Sequence, residues 1–576
     1  MTIEKTLEKS LWRDLALLFI AIALFFAIGL GARPYLTPSE ARYIELPRQM
    51  LLTHDWLTPR INGVPYFEKP PLFYWLQASV MQCLGMGEFA GRLSTLLLST
   101  LICLVTYATG RMLFGRLAGL LASFVLATCI LGYALSRVAM VDMPVSLFMT
   151  CSIAAFLAAQ ISKPSPFGRG LGEGLADSAS GISLTPTLSQ RERGMLYIAM
   201  YVAAALAVLS KGLIGMVIPG LVIGTWILAT QNWRILREAK LIPGLIIFLI
   251  IAAPWHIWMA QKHPDFLNFY FIHEHFTRFL TDEHKRDQPW WFFTLITLVG
   301  LLPWTGLIFP ALKKLRSQDP ILVFILLWIV LPFVFFSTSH SKLAPYIFPI
   351  FPPLAILMGD VLAQIWRGEI SAKSLNATAI FTTLLFSAAI AIFLFVPLPQ
   401  DADRKLDFAG SITPTMLMPV VIALAALVIA IATRRARLLI CALGLFGATL
   451  DITVNYAMPT LDRASVKPLV NIIKDEVQPQ DMVVSFGTYF QDLPVYLNRN
   501  VTVVGYDGEL EFGIDHYPET RSWMIGTREF WKRCAETHAH IFVFMKRMTL
   551  DDIKFPKTCP LRISAEYGKT VLLEKE

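Results

Sequence analysis

Thirteen apolar runs of membrane-spanning length are the main constraint on how this chain can fold. The first extends from Leu15 to Ala32, and the others lie near 89–110, 117–135, 139–160, 195–210, 213–230, 241–260, 291–311, 320–337, 343–365, 376–397, 414–433 and 438–457. About 20 apolar residues suffice for one helix to cross a bilayer. Only 16% of the 576 residues are charged, whereas soluble proteins carry about 25%. The sequence therefore predicts a polytopic α-helical membrane protein.

Basic residues mark one side of the predicted spans. If the N-terminus is cytoplasmic, every inner connection contains Lys or Arg: Arg111 and Arg116; Lys163, Arg169, Arg191 and Arg193; Arg234, Arg237 and Lys240; Lys313, Lys314 and Arg316; Arg367 and Lys373; Arg434, Arg435 and Arg437. Membrane proteins concentrate Lys and Arg in cytoplasmic loops. Thirteen crossings then place the C-terminus outside. The net charge of +8 reports topology and does not indicate a nucleic-acid partner.

Three segments between the runs differ in composition. The first outer loop, 33–88, is rich in Pro and aromatic residues, and Pro70–Leu84 within it predicts a helix lying along the membrane interface. The inner segment 163–194 is rich in Gly, Pro and Ser, which predicts a disordered insertion. A later outer loop, 261–290, contains four His among carboxylates.

Residues 458–576 form a different kind of segment. Short β-rich runs at Met482–Phe486, Val501–Val504, Ile541–Phe544 and Thr570–Leu573 alternate with helical stretches such as Ser522–Ala535. This alternation predicts a small α/β domain outside the membrane, after a membrane domain of residues 1–457. Its two Cys, Cys534 and Cys559, are expected either to form a disulfide in an oxidising compartment or to remain two buried thiols.

Polar chemistry is concentrated on the predicted outer side. All ten His lie there or near an outer membrane edge, together with the acidic residues of the first outer loop: Glu40, Glu45, Asp55 and Glu68. Ionisable groups at a membrane face are costly to keep dry, so their clustering favours a functional site. The alternative is that these loops are hydrated and tolerate any polar residue.

Motifs distributed over the membrane part are more specific. They are SEARY at 39–43, WLTPR at 56–60, YFEKPPL at 66–72, RVAMVDMP at 137–144, Lys211-Gly212, FTRF at 276–279 and SKLAPY at 341–346. Together they resemble the bacterial undecaprenyl-phosphate aminoarabinose transferases. These modify lipid A, are related to the protein O-mannosyltransferases and belong to the GT-C glycosyltransferases. The resemblance implies thirteen spans followed by a C-terminal extracytoplasmic α/β domain.

The resemblance also implies the reaction, in which a sugar moves from a polyprenyl-phosphate carrier to an acceptor at the outer membrane surface. The phosphate leaving group is anionic and needs fixed cations and hydrogen-bond donors nearby. The candidates for binding it are Arg42, Tyr66, Lys69, Lys211, Arg278, Lys342 and Tyr346. For each cation the alternative is a long side chain that only reaches the interface.

A divalent metal near the lipid phosphate is a further implication of the resemblance. Its candidate ligands are Glu68, His273 and His275. Carboxylate and imidazole ligands suit zinc better than magnesium. The two His are two residues apart, a spacing that separates them on a helix but suits a loop.

The chain departs from the family at one position. Ser39 stands where the family has an Asp thought to be important for catalysis, whereas the later Asp is retained as Asp142. Ser does not act as a base near neutral pH, and a hydroxyl acceptor must lose a proton as it attacks. Ser39 therefore favours a phosphate-type acceptor, or a base supplied by Glu40 or Asp142. The predicted catalytic residues are Asp142, Glu40 and Lys69.

The leading hypothesis is a glycosyltransferase of a Gram-negative inner membrane. It would move aminoarabinose or a related sugar from undecaprenyl phosphate to lipid A or another envelope acceptor. Three alternatives remain: a protein Ser or Thr acceptor, a lipid or solute transporter, and an inactive scaffold. Transporters often contain internal repeats, and none is evident in this sequence.

Overall fold

The computed structural model describes residues 2–161, 189–277, 288–317, 319–395, 414–461, 463–506 and 508–575. Within these ranges ten helices are long and apolar enough to span a membrane: Ser10–Ala27 (of Thr2–Ala27), Glu88–Phe114, Asp142–Ile161, Gln190–Lys211, Leu241–Lys262, Pro320–Thr338, Ala344–Arg367, Lys373–Phe393 (of Lys373–Phe395), Thr415–Thr433 (of Pro414–Thr433) and Ala436–Pro459 (of Ala436–Leu461). Phe292–Gly300 and Thr305–Arg316 are bent by 111° and give an eleventh span if counted as one.

All thirteen predicted runs contain described helix, and ten or eleven of the helices meet the length and hydropathy of a full span. Two predicted runs form shorter apolar helices, Arg116–Ala127 and Ile214–Thr230. The run 117–135 is divided between Arg116–Ala127 and a second helix, Ile130–Leu135, and the helix is interrupted at residues 128–129. The first helix, Thr2–Ala27, also ends before the predicted Ala32, and Gly29 follows it with a φ of 68°.

The remaining helices are short or lie outside the spans. The first long loop contains α-helices Ser39–Thr53 and Leu72–Leu84, the second of which confirms the helix expected in Pro70–Leu84. The others are α-helices Arg234–Glu238 and Ile308–Lys313, a π-helix at Asn268–Thr277, and 3-10 helices at Thr305–Leu307, Lys314–Arg316 and Ala344–Ile350.

The predicted insertion 163–194 is partly helical. Ser189 caps the helix Gln190–Lys211, because its hydroxyl accepts from the Glu192 backbone N–H while the Glu192 side chain accepts from the Ser189 N–H. This reciprocal capping box starts a helix inside a segment that its composition marked as disordered. Residues 162–188 lie outside the described part of the chain.

Small residues let the helices of the bundle pack closely. A Cβ added at Gly359 would lie 2.4 Å from the Ala118 carbonyl oxygen, and one at Gly110 would lie 3.1 Å from the Gly119 Cα. Helix pairs in membranes associate largely through such close packing, since the lipid is as apolar as the side chains. These contacts fix how the helices Glu88–Phe114, Arg116–Ala127 and Ala344–Arg367 pack against one another.

The C-terminal segment forms a six-stranded sheet in the order β5-β4-β3-β6-β8-β7. Its strands are β3 Met482–Phe486, β4 Thr502–Val504, β5 Met524–Ile525, β6 Ile541–Lys546, β7 Leu561–Tyr567 and β8 Thr570–Lys575. Strands β3 to β6 are parallel, whereas β8 runs antiparallel to β6 and β7. The α-helices are Lys467–Ile473, Leu493–Leu497, Glu511–His516, Thr527–Glu536 and Arg547–Asp552, with a 3-10 helix at Pro518–Ser522.

The expected α/β domain and its four strands are confirmed, but one helix boundary is wrong. Part of Ser522–Ala535 forms β5, and the helix begins only at Thr527. The open choice between a disulfide and two thiols is also resolved. Cys534 and Cys559 are joined, with their Cα atoms 5.7 Å apart.

A hairpin of the first long loop fits into this domain. Strands β1 (Arg60–Ile61) and β2 (Val64–Pro65) flank an Asn62-Gly63 turn whose φ angles, 50° and 81°, are typical of a two-residue hairpin turn. The Asn62 side chain donates to the Val501 carbonyl at 2.9 Å and accepts from the Val501 N–H at 2.8 Å. The loop and the domain therefore lie on the same face of the bundle.

Candidate active site

A pocket of about 370 Å³ opens among the spans near this face. Its polar lining comes from Lys69, Asp142, Ser146, Lys211, Glu274, Ser339, Ser341 and Tyr346. Its apolar wall comes from Val145, Met149, Leu213, Ile214, Val217, Phe335, Phe336, Pro345 and Pro349. A ligand that combines a charged group with a hydrocarbon chain matches this lining.

Asp142 and Lys211 form one ion pair in the pocket. Asp142 is the first residue of the helix Asp142–Ile161 and Lys211 the last residue of Gln190–Lys211, the following helix in the described part of the chain, and the two helices are antiparallel neighbours. Each charge is favourable at that end of its own helix dipole. The Lys211 Nζ lies 2.5 Å from Asp142 Oδ1 and 4.0 Å from the centre of the Tyr346 ring. The lysine is held from two sides.

Lys69 and Glu274 form the second pair. The Lys69 Nζ donates to Glu274 Oε2 and to the Glu68 carbonyl oxygen, both at 2.8 Å. Both charged side chains are largely buried, with 12% and 2% of their surface exposed. The pocket thus holds two cations, each already close to a carboxylate, and an anionic ligand must compete with those carboxylates for the lysines.

Other predicted phosphate-binding residues lie beside the pocket without lining it. Lys342 donates to the Gln288 carbonyl oxygen at 2.9 Å. Arg42 forms an ion pair with Glu509 of the C-terminal domain. Tyr66 is fully buried nearby, and burial raises its pKa well above the ordinary value. Arg278 lies outside the described residues.

Glu40 occupies a structural position away from the pocket lining. Its carboxylate lies 3.0 Å from an Arg33 nitrogen and 2.7 Å from an Arg92 nitrogen. It also accepts from the backbone N–H groups of Leu36 and Ala139. Burial alone would raise its pKa, but Arg92 and Arg33 hold the pKa at about 2. A carboxylate so fully paired is poorly suited to take the acceptor's proton.

Comparisons with known proteins agree with this geometry. One family model, dolichyl-phosphate-mannose-protein mannosyltransferase, matches residues 13–271, and a second, aminoarabinose transferase C-terminal domain, matches residues 469–575. The crystal structure of ArnT from Cupriavidus metallidurans bound to undecaprenyl phosphate is 26% identical, with a TM-score of 0.81 over 97% of each chain.

Curated relatives give the same result. The undecaprenyl phosphate-alpha-4-amino-4-deoxy-L-arabinose arabinosyl transferase of Edwardsiella ictaluri is 27% identical over 91% of each chain. Its namesake in Pseudomonas aeruginosa (strain UCBPP-PA14) is 31% identical over 68% of this chain and 67% of its own. The chain belongs to the ArnT family of arabinosyl transferases. The expected GT-C fold class, a helical membrane part with a small C-terminal sheet domain, is confirmed.

The position at which the chain departs from the expected ArnT motif lies outside the pocket lining. Ser39 is exposed, and it is the first residue of the helix that also carries Glu40 and Arg42. The helix is capped by no side chain, since Pro38 precedes it. Ser39 thus contacts solvent in the same region where Glu40 is tied into the fold.

The proposed metal ligands are only partly described. His273 Nδ1 lies 3.8 Å from Glu274 Oε1, and the ring stacks on Phe269. The side chain of His275 lies outside the described part. Among the side chains that are described, no three His, Cys, Asp or Glu are grouped to hold a metal ion. The set of Glu68, His273 and His275 therefore stays a prediction, and we derive no step through a metal.

Sequence reasoning missed Glu274 as a pocket residue of this ArnT-family chain. Glu274 lies between His273 and His275, the candidate metal ligands. Only the tertiary structure brings it close to Lys69, which is 205 positions earlier in the chain. Arg92 was missed too, although a charged residue near the start of an apolar run is a signal that it has a buried partner.

Proposed function

We propose that the protein transfers 4-amino-4-deoxy-L-arabinose from undecaprenyl phosphate to lipid A or another envelope acceptor. The observation that carries this proposal is the pocket itself. Two largely buried lysines, Lys69 and Lys211, line a pocket that also has an extensive apolar wall. A polyprenyl phosphate has the same division between an anionic head and a hydrocarbon tail, and a similar structure binds that carrier.

In the proposed reaction the bond between the sugar C1 and the carrier phosphate oxygen breaks as an acceptor oxygen bonds to C1. The electron pair of the broken bond leaves with undecaprenyl phosphate, whose negative charge increases. Lys69 and Lys211 stabilise that developing charge at fixed positions, which is an effective electrostatic contribution to catalysis. Asp142, the ion-pair partner of Lys211, orients the acceptor and takes its proton if the acceptor is a hydroxyl.

We further propose that the pocket faces the periplasm from the inner membrane. The helix Glu88–Phe114 contains 27 residues and is thus about 40 Å long. Glu88 at its start pairs with Lys467 of the C-terminal domain, whereas Arg111 near its end pairs with Asp14. Basic residues favour the cytoplasmic side. This supports a cytoplasmic N-terminus and a periplasmic C-terminal domain.

A divalent metal, zinc in preference to magnesium, remains a proposal for Glu68, His273 and His275. Carboxylate oxygen and imidazole nitrogen form a ligand set that suits zinc. When bound, such an ion would supply positive charge beside the carrier phosphate.

A second candidate acceptor is a protein Ser or Thr hydroxyl. The match of residues 13–271 to the mannosyltransferase model favours it. We would give the purified protein undecaprenyl phosphate carrying radiolabelled aminoarabinose, with lipid A or with a Ser/Thr-containing peptide. We expect label on lipid A only. Label on the peptide would favour the second candidate, and no transfer to either would contradict the enzymatic function.

A further inference from the structure

Four aromatic rings form a continuous column between the C-terminal domain and the pocket. In order they are His516, Phe512, Phe269 and His273. Successive ring centres lie 4.0, 4.2 and 5.2 Å apart, and the planes of each pair are within 28° of parallel. Stacked aromatic pairs stabilise a contact beyond the apolar area that they bury. We call these four residues the ring column.

The ring column connects two elements that are far apart in sequence. His516 and Phe512 belong to the helix Glu511–His516 of the C-terminal domain, whereas Phe269 and His273 lie on the π-helix Asn268–Thr277. His516 also lies 3.8 Å from Asp265, just before that π-helix. A π-helix is an uncommon and weak conformation that is often found at functional sites. External contacts are therefore important in holding it.

The π-helix carries the carboxylate that pairs with Lys69, one of the two lysines in the pocket. Glu274 directly follows the last ring of the column, and its carboxylate accepts from Lys69 Nζ at 2.8 Å. A displacement of the π-helix would move Glu274 and change the field and position of Lys69. Through the ring column the C-terminal domain is connected to Glu274 and Lys69 in the pocket, although no described residue of the domain lines the pocket.

The domain is also attached to the first long loop by contacts that do not involve the ring column. A Cβ at Gly513 would lie 2.5 Å from Val64 Cγ1, so the helix Glu511–His516 lies directly against the hairpin. The Trp523 indole N–H donates to the Asn62 carbonyl oxygen at 2.8 Å. These contacts should keep the domain in place when one ring of the column is altered.

We propose that the C-terminal domain positions the carrier-phosphate end of the pocket through the ring column, with Phe512 as the central positioning residue. This inference rests on the proposed function, because the ligand at that end is taken to be a polyprenyl phosphate. Phe512 stacks on one side against His516 and on the other against Phe269, and its ring also makes a T-shaped contact with Phe67 of the first long loop, with 5.9 Å between ring centres. Loss of its ring breaks the column at its two closest contacts.

The test compares binding of undecaprenyl phosphate to the full-length protein and to Phe512→Leu in detergent. We expect binding about tenfold weaker for Phe512→Leu, which loses two stacked pairs and the T-shaped contact with Phe67, and near-normal binding for Phe512→Tyr, which keeps the ring. The donor KM should rise more than kcat falls. Phe555→Leu is the matched control, because Phe555 packs on the same domain away from the column. It should bind like the wild type.

A second variant covers the case in which Phe512→Leu does not fold. His516 is at the exposed end of the column, so His516→Ala should fold normally and weaken binding about two- to threefold. Wild-type binding by a folded Phe512→Leu, or an equal loss in Phe555→Leu, would overturn the inference. Failure of the wild-type protein to bind undecaprenyl phosphate would instead overturn the proposed ligand, and the inference with it.

Discussion

Glu40 is the residue whose role differs most between the sequence-based expectation and the structure. It joins Arg33, Arg92 and the backbone of Ala139 at a fully buried position. We expect Glu40→Gln to lower the free energy of unfolding by about 3–5 kcal/mol, because it leaves buried arginines without a compensating charge. Thermal unfolding in detergent measures the loss. Glu519→Gln, at an exposed position, is the control and should change stability little.

The same ion pairs predict how stability depends on pH. The pKa of Glu40 is held at about 2, below the ordinary 4.5, since Arg92 and Arg33 outweigh the effect of burial. Ionised Glu40 therefore stabilises the fold above about pH 4.5, and that contribution is lost as the pH falls toward 2. The Tm of the wild type should fall across this window more steeply than that of Glu40→Gln. Equal slopes would contradict the assignment.

Ser39 gives a prediction about activity. Because its side chain is exposed and does not line the pocket, Ser39→Asp should change kcat by less than about threefold, which corresponds to under about 0.7 kcal/mol in the activation barrier. Initial rates of sugar transfer under saturating donor provide the measurement, with Ser39→Ala as the control. A tenfold gain in Ser39→Asp alone would show that the Asp of the family motif is a missing base.

At this scale the sequence predicted both pocket cations, and the carboxylate partner of Lys211, but not the carboxylate partner of Lys69. Lys69, Asp142, Lys211 and Tyr346 stand in motifs of the family, so resemblance identified them, and the structure places all four on one pocket. The pairing of Lys69 with Glu274 depends on tertiary structure, because neither residue is near the other in sequence.

At the scale of elements, one helix contact provides a sharp test of packing. Gly359 and Gly220 both lie in apolar helices, but only at Gly359 would a Cβ meet backbone, 2.4 Å from the Ala118 carbonyl oxygen. We expect Gly359→Ala to destabilise the protein by about 1–3 kcal/mol, because the helices must separate. Gly220→Ala has open space and should be neutral or slightly stabilising. The midpoints of thermal unfolding of the two variants measure this difference. Equal midpoints would contradict the close packing at Gly359.

The apolar runs predicted where helices lie, but not where a helix is interrupted within a run. Run 117–135 is largely apolar, yet it forms two helices with an interruption between Ala127 and Ile130. Strand β7 (Leu561–Tyr567) was missed for the opposite reason. It is one of the two edge strands of the sheet and mostly exposed, so its sequence is too polar to show the pattern of a buried strand.

At the scale of the whole molecule, we expect the disulfide to stabilise the C-terminal domain and not the membrane part. Cys534 and Cys559 enclose a sequence separation of 25 residues. Replacing both by Ser should lower the stability of the domain by about 3 kcal/mol, mainly because the unfolded chain gains freedom. Limited proteolysis of the domain during a temperature ramp reports the change, with Cys441→Ser in the membrane part as control. An unchanged midpoint would contradict a structural disulfide.

The division into a membrane part and an α/β domain was predictable, since apolar runs stop at residue 457 and β-rich runs follow. How the two parts contact each other was not. The paired hydrogen bonds between Asn62 and Val501 join residues 439 positions apart. Such a contact leaves no periodic signal in one sequence, and the ring column has the same property.

The measurement that tests the central claim most directly is sugar transfer by Lys211→Met. The donor is undecaprenyl phosphate carrying radiolabelled aminoarabinose, the acceptor is lipid A, and Lys262→Met is the control, since Lys262 pairs with Asp55 away from the pocket. Loss of one preorganised group that stabilises a developing anion typically costs about 100-fold or more. We predict such a fall in kcat/KM for Lys211→Met and about wild-type transfer for Lys262→Met. Wild-type transfer by a folded Lys211→Met would contradict the assignment of this pocket as the site of the reaction.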